Sequence, residues 1–172
     1  MNNYDLKPLI PADFADESRV WIYQSSRPFS EQQEIEIDEQ LLHFYTQWQT
    51  HGTPVKGWAK LLFRRFIVIM ADETQAGVSG CSTDSSVRVI KSIERQYDAN
   101  LFDRLSITFL VKDQPEVLPM GQVQYAIDKG YINGETLLFN NLVATKGDML
   151  KNWLQPLQFS WMKGQIQLPI NN

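Results

Sequence analysis

The chain has 172 residues, 43% of them hydrophobic, and a formal charge of −4 at pH 7, with a sequence pI near 5.2. That length suits one domain over residues 1–172, which buries roughly 70% of the surface its unfolded chain exposes and holds together without disulfides or metal. A single cysteine excludes a disulfide framework and a multi-cysteine zinc site, and the acidic balance excludes nucleic acid and anionic membrane as default partners.

Met1 to Leu6 lacks the basic region and apolar run of a signal peptide. The longest apolar run, Phe66 to Ala71, is strand-sized and falls short of the ~18–20 residues of a membrane span. A cytoplasmic protein is the expectation. Residues 1–18 read as an irregular lead-in broken by Pro8 and Pro11. Arg19 to Gln24 is β-branched and aromatic, hence a strand, and Ser25-Ser26-Arg27-Pro28 turns the chain. A long helix starts at Ser30, with Gln33 at the capping-box position and Glu31 and Glu34 in the first turn. Its buried stripe is Ile37, Leu41, Phe44 or Tyr45, and Trp48, with His43 close by, and His51-Gly52 is expected to end it.

Two strands, about 55–62 and 65–72, are expected to join tightly near Phe63-Arg64; the turn lacks Asn-Gly or Asp-Gly, which leaves one long bent strand as the alternative. A long connection from Glu73 to Ser82 leads to a second helix at about 83–98, with Val87, Ile90, Ile93 and Tyr97 inward and Arg88, Lys91 and Arg95 as a basic stripe. Leu105 to Val111 is the next strand, broken by Asp113-Gln114-Pro115. The order β-α-β-β-α-β over about 19–112 is that of a ferredoxin-like sandwich. About 113–172 adds an α-β-α extension: a helix from Gly121 to Lys129, a strand from Thr136 to Val143, and a helix capped by Thr145 with Met149, Leu150, Trp153 and Leu154 inward. The fold class is therefore α+β, with an apolar tail through Phe159, Trp161 and Ile166 packing on the domain.

Four segments carry a resemblance: Arg19 to Gln24, Trp48-x-x-His51-Gly52, Ser79-Gly80-Cys81-Ser82-x-Asp84-Ser85-Ser86, and Phe139 to Thr145. Together they resemble a group of short bacterial proteins of unassigned function, some of which bear the label "ABC transporter ATPase". The resemblance implies no catalytic residues. The label itself fails on chemistry, since no G-x-x-x-x-G-K-[ST] run exists to cradle phosphates.

The candidate site is the stretch from Ser79 to Ser86. Cys81, expected just before the second helix, sits where the helix dipole favours a thiolate, whereas its structural alternative is a small buried thiol. Ser79, Gly80, Cys81, Ser82, Thr83, Ser85 and Ser86 could offer hydroxyls and backbone N–H groups to a ligand, although one or two of those hydroxyls serve as helix caps. The leading expectation is a non-enzymatic module that binds a small polar ligand or a protein partner there. The alternative is a thiol-dependent enzyme with Cys81 as nucleophile, His51 as base and Asp84 as orienting group. The phosphatase pattern Cys-x5-Arg misses by one residue, because Arg88 comes one position too late. No cofactor and no metal are expected; Asp72, Glu73 and Asp84 are poor metal ligands because adjacent strand residues face opposite ways. Asn140-Asn141 lies inside an apolar strand, where amides need partners. The tryptophans read as packing residues rather than a ligand cage.

Overall fold

A computed structural model describes residues 4–169. The described residues are mixed α and β, with four α-helices and three antiparallel sheets. In chain order these are β1 (Arg19–Gln24), α1 (Glu31–Thr46), β2 (Gln49–Thr50), β3 (Thr53–Pro54), β4 (Lys56–Leu62), β5 (Phe66–Asp72), α2 (Gly80–Tyr97), β6 (Ser106–Val111), β7 (Gln114–Pro119), α3 (Val123–Asp128), β8 (Leu137–Phe139), α4 (Lys146–Asn152) and β9 (Leu154–Pro156).

The first sheet has the order β1-β5-β4, and β5 is its centre. All seven β5 residues are buried, which the unbroken apolar run from Phe66 requires of a strand covered on both faces. Alternation divides them. Ile67, Ile69 and Ala71 join a cluster with Ile37 and Leu41 of α1 and Ile90 and Ile93 of α2. Phe66, Val68 and Met70 join a second cluster with Phe139, Met149 and Trp153 and with Leu6, Ile10 and Phe14 of the lead-in. Lys146 fastens that lead-in from beneath: its buried Nζ donates to Phe14 O at 2.6 Å and Ala12 O at 3.2 Å.

The second sheet, β7-β6-β8-β9, turns Phe139 toward this middle cluster and Ile107, Phe109 and Leu138 toward a third cluster with Val123 and Ile127 of α3. A ferredoxin-like sheet needs β6 beside β1, but β6 pairs with β7 and β8 instead. Part of the β1 edge is taken by the chain before α4, where Val20 N donates to Ala144 O and Lys146 N to Ser18 O. The break expected at Asp113-Gln114-Pro115 is a hairpin. Lys112 and Asp113 both adopt positive φ, as a two-residue primed turn demands, and Pro115 is tolerated because β7 is an edge strand.

Several expected boundaries move. α1 ends at Thr46 with Gln47 as its C-cap, so His51-Gly52 is no helix terminus. Both have positive φ, 48° and 79°, and form the tip of the β2–β3 hairpin between Thr50 and Thr53. Helix α2 starts at Gly80 rather than near 83, with Ser79 as N-cap, which shortens the connection to residues 73–79. His43 is exposed rather than near the buried stripe. In the tail, Leu157 and Met162 are buried, whereas Phe159 is 71% exposed.

Candidate functional site

Trp48 fixes the start of α2. It is buried against Gly57 of β4, where an added Cβ would lie 2.6 Å from its Cε3. Its indole N–H donates to Ser82 O at 3.0 Å. The hydroxyls expected to serve a ligand are spent on this junction. Ser79 Oγ accepts from Ser82 N at 3.3 Å, and Ser82 Oγ donates to Gln49 O at 2.8 Å. Thr83 Oγ1 donates to Ser79 O, Ser85 Oγ to Ser82 O and Ser86 Oγ to Thr83 O. Ser82 and Ser86 are buried. Capping and back-bonding to the preceding turn thus account for the hydroxyl cluster.

The acidic side chains before α2 are also engaged. Asp72 Oδ1 accepts from the Thr74 hydroxyl at 2.7 Å and Asp72 Oδ2 from Ala15 N at 3.1 Å. Led by the Thr74 bond, these contacts hold the Asp72 carboxyl at about 2, below its ordinary 3.8, against the opposing effect of burial. Glu73 accepts from Val78 N and lies 3.7 Å from Arg19. Among the described residues no group of three or more His, Cys, Asp or Glu side chains could hold a metal ion.

Cys81 is exposed, in the first turn of α2, rather than in a loop ahead of it. The backbone around it is therefore helical and cannot wrap a phosphate as a Cys-x5-Arg loop does. His51 lines a surface hollow with Thr50, Thr53 and residues 75–79, and neither Cys81 nor Asp84 belongs to that wall. Among the described residues no hydrogen bond joins Cys81, His51 and Asp84 in any pair.

A different site is built between the two larger sheets. A cavity of about 110 Å³ is walled by Ile22, Tyr23 and Gln24 of β1, residues 101–104 ahead of β6, Ser106 and Ile107 of β6, Phe139, Asn141, Leu142 and Trp161. Its polar floor is a side-chain network. Gln24, only 5% exposed, donates from Nε2 to Ser106 O at 3.3 Å. Its Oε1 accepts from the Thr108 hydroxyl at 2.6 Å and from Asn141 Nδ2 at 3.2 Å. Asn141 Oδ1 in turn accepts from the Trp153 indole N–H at 3.0 Å. Four segments distant in sequence are tied at one point, and buried polar groups that close such a network make a site rigid.

At the rim, Tyr23 packs edge-on against Phe102 with ring centroids 5.5 Å apart. Burial raises the Tyr23 phenol above its ordinary value, partly offset by the positive charge of Arg104. Phe102, Leu142 and Trp161 remain exposed large hydrophobic side chains beside the opening. A small concavity with an apolar wall and a few converging polar groups has the general form of a ligand pocket.

None of Tyr23, Gln24, Arg104, Asn141 or Trp161 belongs to the site expected from sequence. The one available signal was the amide pair expected inside an apolar strand; β8 in fact ends at Phe139, and the pair lies in the turn that follows it. The pair divides its work: Asn140 Oδ1 accepts from Leu142 N within the turn, while Asn141 reaches Trp153 and Gln24. No family model matches the chain, and neither does any curated protein or any solved structure.

Proposed function

We propose that this protein is a non-enzymatic module that binds a small polar ligand, and that the ligand's seat is the cavity between β1 and β6 rather than the Ser79–Ser86 helix start. The observation that carries this reading is the pre-formed amide network of Gln24 and Asn141 on the floor of a concavity with both apolar and polar walls. A cytoplasmic setting fits its single free thiol. Among the described residues no helix is long and apolar enough to cross a membrane. The first part reads as three of the four strands of a ferredoxin-like sandwich, supported by the order β1-β5-β4 with α1 and α2 packed on one face.

The test is a fragment screen by ligand-observed NMR on the full chain, repeated with Leu142→Trp. Leu142 is 67% exposed and lines the cavity, so an indole there covers the mouth without disturbing the core. Hits that vanish in this variant and survive in Cys81→Ser support the reading; hits that survive Leu142→Trp, or no hits at all, contradict it.

The thiol-enzyme reading stands second, favoured by the exposed position of Cys81 in the first turn of α2. Alkylation of the folded protein by iodoacetamide separates the cases. A His51→Gln change that slows the reaction supports a working Cys81–His51 pair, and an unchanged rate counts against it.

A further inference from the structure

The network around the cavity has fixed donors and acceptors. An indole N–H only donates, so Asn141 must turn Oδ1 to Trp153 and Nδ2 to Gln24. Gln24 therefore presents Oε1 to Asn141 and Nε2 to Ser106 O, and the Thr108 hydroxyl donates to that same Oε1. Gln24 Oε1 accepts two bonds and is filled, while Asn141 Oδ1 accepts one. Each of the two amides keeps a second N–H that no described residue accepts. The Tyr23 hydroxyl has no hydrogen-bond partner among the described residues, and as a phenol it can donate. Arg104 lines the same cavity and forms no ion pair or hydrogen bond among the described residues. Asp103 is the one acid on the wall, and both its oxygens are engaged, Oδ1 by Leu105 N at 2.8 Å and Oδ2 by the Ser106 hydroxyl at 2.7 Å.

A cavity lined by surplus donors and one unpaired guanidinium selects an acceptor-rich, negatively charged group. We propose that its ligand is a small organic carboxylate, with the oxygens met by Arg104, Tyr23 and the spare amide N–H groups and an apolar body against Phe102, Leu142 and Trp161. This rests on the cavity being the ligand seat. Size narrows the class. A volume of about 110 Å³ is smaller than the roughly 150 Å³ that accepts benzene, so the enclosed part of the ligand has about four or five non-hydrogen atoms.

The experiment titrates the full-length protein with propionate and butyrate and, in parallel, with propionamide and butyramide. The side-chain amide resonances of Gln24 and Asn141 and the Nε–H of Arg104 are followed by NMR. The acids are expected to shift all three saturably at roughly millimolar concentration and to bind at least about tenfold more tightly than the amides. Arg104→Met, which removes an exposed and unpaired side chain, should erase that preference. Amides binding as tightly as acids would overturn the carboxylate assignment and leave the cavity as a ligand seat. No shift with either class up to tens of millimolar would overturn both.

Discussion

Trp153 is fully buried, and its side chain's one polar atom donates to a single partner, Asn141 Oδ1 at 3.0 Å. Replacing Asn141 by alanine strands that N–H. A stranded buried donor costs about 1–3 kcal/mol. Asn141 itself is half-buried, so water partly replaces it and the lower part of that range, about 1–2 kcal/mol, is expected. In a domain of this length each kcal/mol lowers Tm by about 2–4 °C, which makes the fall about 2–8 °C. The same substitution also removes the Asn141–Gln24 bond, so the indole's share is isolated by a double-mutant cycle with Trp153→Phe. Phenylalanine has no N–H to strand, and in that background Asn141→Ala should cost about 1 kcal/mol less than in the parent. Urea unfolding followed by circular dichroism measures all four corners of the cycle. Additivity within about 0.3 kcal/mol would refute the claim that the indole and the amide act as a unit.

Three further perturbations test other joints of the fold. Gly57→Ala pushes a methyl into the face of Trp48, 2.6 Å from Cε3, and should destabilise by about 1–3 kcal/mol; a neutral result in chemical unfolding would mean that Trp48 is loosely held. Lys146→Met leaves Phe14 O and Ala12 O without their charged donor, at a cost of about 2–3 kcal/mol, and hydrogen exchange in residues 5–16 should rise ahead of the rest of the chain. Uniform exchange in that variant would show that Lys146 does not fasten the lead-in. The Asp72 carboxyl is held at about 2 in the folded state against 3.8 ordinarily. Its contribution is therefore present above pH ~4 and lost as pH falls through ~2. The urea midpoint of the parent should drop more steeply between about pH 5 and pH 2.5 than that of Asp72→Asn, and parallel curves would contradict the assignment.

How far the sequence foretold this depends on the range of the interactions involved. Local rules worked where they act alone. Ser30 with Gln33 forms the capping box, the Phe66 run forms a strand buried on both faces, and Ile90 and Ile93 face the core. They found the turn at Phe63-Arg64, whose residues both have positive φ, because long apolar strands flank it, and failed at two other turns of non-glycine residues at positive φ. His51, Lys112 and Asp113 hid two hairpins, because L-residues disfavour that region and tertiary contacts had to pay the difference. The hydroxyls of the Ser79–Ser86 stretch looked available because their acceptors, Gln49 O and the carbonyls of the preceding turn, exist only once the helix starts at Gly80. Gln24 and Asn141 are 117 positions apart, and nothing in the spacing of either announces the other. What sequence could supply was the anomaly of amides that read as part of an apolar strand, although the strand stops at Phe139.

The most direct measurement is a two-dimensional NMR map of the fragment hits on the uniformly labelled protein, with the Asn and Gln side-chain amides and the Trp indoles assigned. A ligand seated between β1 and β6 moves the Gln24 and Asn141 side-chain amides and the Trp161 indole, and leaves the backbone amides of residues 79–86 unchanged. Shifts confined to residues 79–86 and His51, with the Gln24 and Asn141 amides still, would contradict the account and return the site to the start of α2.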